Sequence, residues 1–219
     1  MTFKAPDSLV EQIANHLAQR IIRGELKERE RIQELKVTQE LNVSRGSVRE
    51  ALLLLERRHL VTIPPRRGAQ VSELNARNVR NLYALVCELY ILLANSVADR
   101  WQVEADLQPF RAIQQRLIVS ADRGDIQGFV AEGFNIVSAA LPFADNPYLQ
   151  ETLENLLPSV SRTYHFALER RQTRMSQFLE VLDGLLQAVI ARDKAQIREM
   201  ISAYSQHNCQ VVLAALADR

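Results

Sequence analysis

The sequence predicts a mainly α-helical protein in two parts: an N-terminal winged helix-turn-helix, followed by an all-helical antiparallel bundle of about six helices. Before residue 72 the apolar residues recur at helical spacing and then change period at Leu60, which is typical of helices followed by a β-hairpin. From Glu73 onward only four glycines remain, and the apolar residues keep helical spacing almost throughout. We therefore expect one domain over residues 1–73 and a second over residues 74–219.

Two helices are predicted at the start of the chain. The first has four apolar residues on one face: Leu9, Ile13, Leu17 and Ile21. It should end at Gly24, because glycine readily adopts the left-handed conformation that stops helices. A second, short helix is expected from about Gln33 to Leu41, with Val37 on its buried edge. Asn42 then tolerates the left-handed backbone that a tight turn into a third helix requires.

The third helix begins after Ser44, whose hydroxyl can accept hydrogen bonds from the free N–H groups of the first turn. Its buried face is marked by apolar residues at helical spacing: Val48, Leu52 and Leu55. Arg45 and Arg49 are four residues apart and share another face near the helix N-terminus. The positive end of a helix suits contact with phosphate, and a guanidinium can donate to N7 and O6 of guanine. This pattern indicates a DNA-recognition helix.

A β-hairpin is predicted directly after the third helix. Leu60–Ile63 is expected to form one strand and Gly68–Val71 a second, with Pro64 and Pro65 suited to an edge strand or a loop. Arg66 and Arg67 follow at the tip of the hairpin, where they would lie beside a DNA duplex.

These elements resemble the N-terminal pattern of the GntR family of bacterial transcription regulators over roughly Leu9 to Ser72. Arg29, Asn42 and His59 stand where the family usually has glycine. Thr38 replaces a usual alanine, and Ser47 replaces a usual proline. Asn and His accept positive backbone angles better than most residues, so we expect the fold to survive these changes. The matching positions are Gly24, Leu26, Glu34, Leu41, Val43, Ser44, Arg45, Val48, Arg49, Glu50, Ala51, Leu52, Leu55, Leu60, Val61, Arg66, Arg67, Gly68 and Val71.

The resemblance implies that Arg45 and Arg49 contact operator DNA, that Ser47 lies close to a phosphate or a base edge, and that Gly68 lets the hairpin approach the minor groove. The expected DNA-binding set is Ser44, Arg45, Ser47, Arg49, Arg66, Arg67 and Gly68. The alternative for Arg49 is an ion pair with Glu50 or Glu56 that merely coats the helix.

The charge of the chain is divided unequally. Residues 1–72 hold 13 Lys and Arg against 9 Asp and Glu, whereas the remainder holds 14 against 17. A basic first part and an acidic second part suit a DNA-binding module joined to another domain. The N-terminus has no basic segment followed by an apolar run, and the apolar stretch Leu82–Ala94 is interrupted by Glu88 and too short to span a bilayer. We expect a cytoplasmic protein that does not enter a membrane.

Six helices are predicted in the second part, joined by short links as in an antiparallel bundle. Breaks are expected at Arg123–Asp125, from Leu141 to Pro147, at the charged run Glu169–Arg171, and at Arg192–Asp193. The predicted helices are Asn75–Arg100, Glu104–Arg123, Ile126–Ala140, Pro147–Leu168, Arg174–Ala191 and Lys194–Ala217.

This helical part resembles the C-terminal domain of the FadR subfamily, of FCD type. In most members of that group a metal is held by an Asp and a His four residues apart, together with two histidines from the last two helices. The matching positions here are Ala131, Asn135, Leu182 and Tyr204. Ala and Leu cannot bind a metal, and an amide with a neutral phenol makes a poor site for zinc or nickel. We expect no metal and no other cofactor.

A pocket for a small molecule is expected at the same place, lined by Asn135, Tyr164 and Tyr204, because polar atoms that are buried need partners. Val86 and Tyr90 replace an Arg and a Glu that the group commonly has, which favours an apolar effector over an organic acid. The filled core without any ligand is the alternative.

The sequence therefore predicts a sequence-specific transcription regulator, of repressor type, that binds a near-palindromic double-stranded operator as a homodimer and is modulated by a small-molecule effector. The alternative is a constitutive dimeric DNA-binding protein whose helical domain only dimerises. An enzyme is not expected, because the sequence has no nucleophile with an adjacent base, no metal-ligand set and no phosphate-binding glycine loop.

Overall fold

The structure, a computed structural model, describes residues 8–168 and 175–218. Their contacts divide them into two compact units. The first comprises the described residues up to Asn75 together with Glu154–Phe166, and the second comprises Ala76–Leu153 and the described residues from Ala167 onward. The helices and strands are α1 Leu9–Ile22, α2 Glu34–Leu41, α3 Arg45–Arg57, β1 Val61–Thr62, β2 Gln70–Val71, α4 Ala76–Arg100, α5 Glu104–Asp122, α6 Ile126–Ala144, α7 Pro147–Leu168, α8 Met175–Ile190 and α9 Lys194–Ala217.

The first unit is built on α1 and α3, which pack against each other through an apolar core. The Ser8 hydroxyl accepts a hydrogen bond of 3.2 Å from the backbone N–H of Glu11 and so caps α1. Gly24 has a positive φ of 68° just after this helix, as predicted. The side chains that fill the core are almost fully buried and come from both helices and the hairpin: Leu17, Ile21, Val48, Leu52, Leu55, Leu60 and Val61.

The hairpin is present but shorter than predicted. β1 and β2 pair antiparallel over two residues each, with Val61 opposite Val71. The loop between α1 and α2 adds a further edge, since the N–H of Ile32 donates to the carbonyl of Ala69 at 2.9 Å, and Arg31 forms a β-bridge with Gln70. This third edge supports the hairpin, and the sequence pattern did not predict it.

Three residues that stand where the family usually has glycine adopt the positive φ that glycine would have there. The φ angles of Arg29, Asn42 and His59 are 61°, 53° and 57°. L-residues seldom adopt this left-handed region because Cβ crowds the backbone. The fold therefore retains these three turns at some conformational cost, as the resemblance implied for Asn42 and His59.

The second unit is helical throughout its described residues, and the ends of most of its helices match the prediction. One predicted break begins later than expected: α6 continues through Pro142 and ends at Ala144, and the break before α7 is limited to Asp145–Asn146. Proline removes a helical hydrogen bond and crowds the preceding turn, but Ala140 and Ala144 are buried on either side of Pro142, so packing keeps the segment helical. The predicted break at Glu169–Arg171 and the predicted helix start at Arg174 lie outside the described residues.

Helix α4 has 25 residues and is long and apolar enough to cross a membrane by length and composition, with 33% of its most apolar window buried. The expectation of a stretch too short to span a bilayer concerned Leu82–Ala94, which is only part of this helix. The core helices of soluble proteins pass the same test, and α4 packs against α6, α8 and α9. Glu88 on this helix forms an ion pair of 3.1 Å with Arg198 of α9.

Candidate nucleic-acid interface and effector site

The N-terminus of α3 is set by a serine cap. Ser44 has extended backbone angles, and its hydroxyl accepts a hydrogen bond of 3.0 Å from the N–H of Ser47. The hydroxyl groups of the two serines are also 2.9 Å apart. This capping satisfies one of the free N–H groups of the first turn, and the remaining positive end of the helix suits an anion. Ser44 and Ser47 therefore lie at the positive end of α3.

Arg45 and Arg49 project from this same end of α3. Val48 and Leu52 are 0% and 2% exposed, so the helix buries their face and leaves both arginines exposed to solvent. Arg49 donates from Nε to Oε2 of Glu34 at 2.8 Å, rather than pairing with Glu50 or Glu56 as the alternative proposed. This pair leaves the terminal Nη groups of Arg49 at the outer end of the side chain.

The hairpin brings further basic side chains to the first unit. Arg66 and Arg67 are exposed at its tip, and the N–H of Arg67 donates to the carbonyl of Pro64 at 3.1 Å. Gly68 has a φ of 74°, and a Cβ at this position would lie 3.3 Å from Nε of Arg31. Arg31 thus lies over the hairpin glycine. Sequence reasoning missed this cation, because its position depends on the β-bridge that the α1–α2 loop makes.

A capped helix with exposed arginines on its first two turns, followed by a hairpin with basic residues, defines the class of winged helix-turn-helix DNA-binding proteins. The guanidinium groups of arginine can donate to guanine or to phosphate. In this chain the module is followed by a helical domain, which is the organisation of a transcription regulator.

Comparison with known proteins places the chain within that class. The family described as bacterial regulatory proteins, gntR family, matches residues 9–71, and the FCD domain matches residues 81–207. The chain belongs to the GntR family, and its FCD domain fits the FadR-like subfamily, as the sequence predicted. Members of this family are transcription regulators and not enzymes.

Three relatives span most of the chain. The HTH-type transcriptional regulator YdhC of Bacillus subtilis (strain 168) is 26% identical over 91% of this chain and 88% of its own length. The HTH-type transcriptional regulator McbR of Escherichia coli (strain K12) is 24% identical over 94% of this chain and 93% of its own. The gluconate operon transcriptional repressor of B. subtilis is 25% identical over 84% and 76%. The solved structure of E. coli McbR/YncC shares the fold, with a TM-score of 0.77 at 22% identity over 94% of this chain and 98% of that one.

The positions that resemble the metal ligands of the subfamily do not fit a metal. Ala131 and Leu182 have no donor atom, and Leu182 is buried in an apolar cluster with Phe129. Asn135 is exposed and donates from its amide to Oε2 of Glu132 at 3.1 Å. An interior position was expected for Asn135, but the buried residues of α6 lie on another face of the helix: Phe129, Val137, Ala140 and Ala144. Among the described residues no group of three His, Cys, Asp or Glu side chains could hold a metal ion.

Tyr204 is half-buried in an aromatic cluster of the second unit. Its ring centroid is 5.5 Å from that of Phe178, which in turn is 5.5 Å from that of Phe129. Burial raises the pKa of the neighbouring Tyr90 well above its ordinary value, and Tyr204 raises it further. The hydroxyl of Tyr90 therefore stays neutral at physiological pH. Tyr164 is also half-buried, but it lies in the segment that belongs to the first unit.

One buried polar atom stands out in the second unit. The side-chain oxygen Oδ1 of Asn95 is inaccessible to solvent and has no hydrogen-bond partner among the described residues. A buried acceptor without a donor costs stability. Asn95 lies on α4, one helical turn beyond Ile91, and it is a functional candidate that the sequence pattern did not indicate.

Proposed function

We propose that this protein is a cytoplasmic, ligand-controlled repressor that binds a near-palindromic operator as a homodimer. The observation that carries the DNA-reading part is the exposure of Arg45 and Arg49 on the first two turns of a helix whose opposite face is buried. Two such helices related by a two-fold axis would enter successive major grooves, so the symmetry of the operator would match that of the dimer.

The residues of the module have distinct roles in this proposal. Arg45 and Arg49 read base edges or hold phosphates, while Ser44 and Ser47 present the N-terminus of α3 to the phosphate backbone of the DNA. Arg66 and Arg67 contact the duplex beside the major groove, and Gly68 allows the hairpin to approach it closely. Phosphate contacts fix the register, whereas base contacts supply the sequence preference.

The test replaces Arg45 and Arg49 singly by Ala and measures operator affinity by fluorescence anisotropy at several salt concentrations. A lost base contact should cost about 1–3 kcal/mol per half-site. Arg57→Ala is the matched control, because Arg57 is an exposed arginine in the last turn of the same helix. Unchanged affinity in both Arg45→Ala and Arg49→Ala would show that α3 is not the recognition helix.

We propose that the homodimer forms through an apolar face of α4. Leu85 and Leu92 are seven residues apart on one side of this helix and are 50% and 48% exposed. Leu85 and Leu92 lie at nearly equal distances from the middle of α4. A second copy of the helix running antiparallel would therefore place Leu85 of one copy against Leu92 of the other. Apolar burial between these leucines therefore favours a second copy of this chain.

Sedimentation velocity tests this assignment. Leu85→Glu and Leu92→Glu would place four carboxylates at the axis when combined, and we expect the doubly substituted protein to sediment as a monomer. Leu53→Glu is the control, since Leu53 is equally apolar and 54% exposed but lies on α3. A dimer that survives the double substitution would exclude this face.

An effector site in the FCD domain is the remaining part of the proposal. The aromatic cluster around Tyr204 and the neutral hydroxyl of Tyr90 support a ligand with an apolar body and a group that hydrogen-bonds to a phenol. Val86 is 2% exposed where the resemblance would place an arginine, so an apolar compound fits this domain better than an organic acid.

Thermal unfolding against acyl compounds, aromatic compounds and organic acids separates the effector proposal from the constitutive alternative. A ligand that binds only the folded protein raises the melting temperature with its concentration. Any such compound must also change operator affinity, because an effector acts only through its different affinity for two states. If no class of compound alters either quantity, the helical domain serves dimerisation alone. Repression is supported by the name of the gluconate operon repressor and is tested by transcription from the bound operator in vitro.

A further inference from the structure

Part of α7 belongs to the winged helix unit. The segment Glu154–Phe166 groups with the first unit, although about 80 residues of chain separate it from the hairpin. Its polar residues Ser159, Arg162 and Thr163 are 9%, 7% and 0% exposed. Buried polar side chains require partners, and two of these three find partners on the DNA-binding module itself.

The first contact lies at the C-terminus of the recognition helix. The hydroxyl of Ser159 donates to the backbone carbonyl of Arg58 at 2.8 Å, and Arg58 is the C-cap of α3. After that cap, the N–H groups of His59 and Leu60 turn back to the carbonyls of Glu56 and Leu55. This turn leaves the carbonyl of Arg58 unused by the helix, and Ser159 supplies the donor.

The second contact holds the loop behind the hairpin. Arg162 Nη2 lies 3.6 Å from Oε1 of Glu28, and the two side chains are only 9% and 18% exposed. Glu28 directly precedes Arg29, whose N–H donates to the carbonyl of Val71 in β2 at 3.0 Å. Arg162 is therefore tied to the segment that forms the extra edge of the hairpin.

We propose that Ser159 and Arg162 are positioning residues for operator binding: they fix the C-terminus of the recognition helix and the base of the hairpin without touching DNA. This inference rests on the assignment of α3 as the recognition helix. Their burial keeps both side chains away from any duplex. The α-carbons of Arg45 and Arg57 are roughly 18 Å apart along the helix axis, so a tilt of about 10° at the held end moves the reading end by on the order of 3 Å. A shift of that size breaks hydrogen bonds to bases.

The proposal also gives α7 a role in regulation. Residues Pro147–Leu153 of the same helix belong to the second unit, so an effector that changes the position of α7 acts on both ends of the DNA-reading surface. The coupling is carried by the hydrogen bond from Ser159 to Arg58 and the ion pair between Arg162 and Glu28. Either interaction breaks if its two residues move apart.

The test measures operator affinity and its salt dependence in the full-length dimer carrying Ser159→Ala, Ser159→Thr or Arg162→Gln. We expect Ser159→Ala and Arg162→Gln to weaken specific binding about 3- to 30-fold, with an unchanged slope of log K against log salt, because no phosphate contact is lost. Ser159→Thr keeps the hydroxyl and should restore affinity. Glu28→Gln should weaken binding as much as Arg162→Gln does, and the two together no more than either alone.

Arg45→Ala is measured beside these variants, since a lost phosphate contact lowers the salt slope by about one. A lower slope in Ser159→Ala would mean direct DNA contact and overturn the proposal, as would unchanged affinity in both Ser159→Ala and Arg162→Gln. Circular dichroism gives the folded fraction, and a loss of affinity that only follows this fraction would also overturn it. If Arg45→Ala and Arg49→Ala bind normally, the recognition helix is misassigned, and that failure is distinguishable from the others.

Discussion

Replacing His59 by glycine should stabilise the protein. His59 lies just after α3, where its N–H donates to the carbonyl of Glu56 at 3.0 Å and the N–H of Leu60 donates to that of Leu55 at 3.0 Å. These two bonds form the Schellman motif, which places the intervening residue in the left-handed conformation. The φ of His59 is accordingly 57°. Its side chain is exposed, so its removal takes little packing away.

The magnitude follows from two opposing effects. A residue with a Cβ costs roughly 1–2 kcal/mol in the left-handed region, and histidine accepts it somewhat better than most. Glycine removes that strain, but it also gives the unfolded chain more conformational freedom, which offsets about 0.5–1 kcal/mol of the gain. We expect a net gain of about 0.5–1 kcal/mol in the free energy of unfolding, or a rise of roughly 1–4 °C in melting temperature for a chain of this size.

Differential scanning calorimetry and urea denaturation measure this gain, and His59→Ala is the matched control. Alanine removes the same imidazole but keeps the Cβ, so it should be no more stable than the natural chain. Equal stabilities of His59→Gly and His59→Ala would refute the reasoning, because the strain at this position would then contribute nothing.

Three further predictions concern single carboxylates and amides. Glu34→Gln should lower specific operator affinity about 2- to 10-fold per half-site, because Arg49 loses its partner and must then be ordered on binding. The free energy of unfolding should change by less than about 1 kcal/mol. Glu50→Gln is the control in the anisotropy assay. Asn95→Leu should raise the free energy of unfolding by about 1–3 kcal/mol in urea, because a buried acceptor without a donor is removed, and any effector that uses this oxygen should lose its thermal shift. Asp106 accepts hydrogen bonds from the N–H groups of Gln102 and Val103, which lower its pKa below the ordinary 3.8. Its stabilisation is therefore complete above that value and lost as the pH falls through the lower folded pKa, so the gap in melting temperature between the natural chain and Asp106→Ala should close at acidic pH.

Local chemistry explains why so much of the first unit could be predicted. Caps, left-handed turns and amphipathic faces depend on residues within one or two turns of each other, so Ser44, Asn42 and the buried face of α3 could be recognised from spacing alone. The exposure of Arg45 and Arg49 then follows, because the opposite face of the helix is needed for the core.

The features that escaped prediction depend on contacts between distant parts of the chain. Arg31 reaches Gly68 through a β-bridge to the hairpin, and Arg49 takes Glu34, 15 residues away, as its partner. The interior position expected for Asn135 assumed that matched positions share a face, whereas the burial of α6 is decided by its neighbours. Pro142 shows the same limit, since packing on both sides overrides the local tendency to end a helix.

The contacts of α7 constrain how any effector could work. If a ligand changes operator affinity by some factor through Ser159 and Arg162, operator DNA must change the affinity for that ligand by the same factor, because the coupling free energy belongs to the pair of sites. A Ser159→Ala variant that lost the hydrogen bond would then reduce both effects together. A variant that kept the effect of DNA on the ligand, yet lost the effect of the ligand on DNA, would violate this reciprocity. The coupling must therefore be measured in both directions, and agreement between them separates true control of operator binding from a ligand that merely stabilises the helical domain.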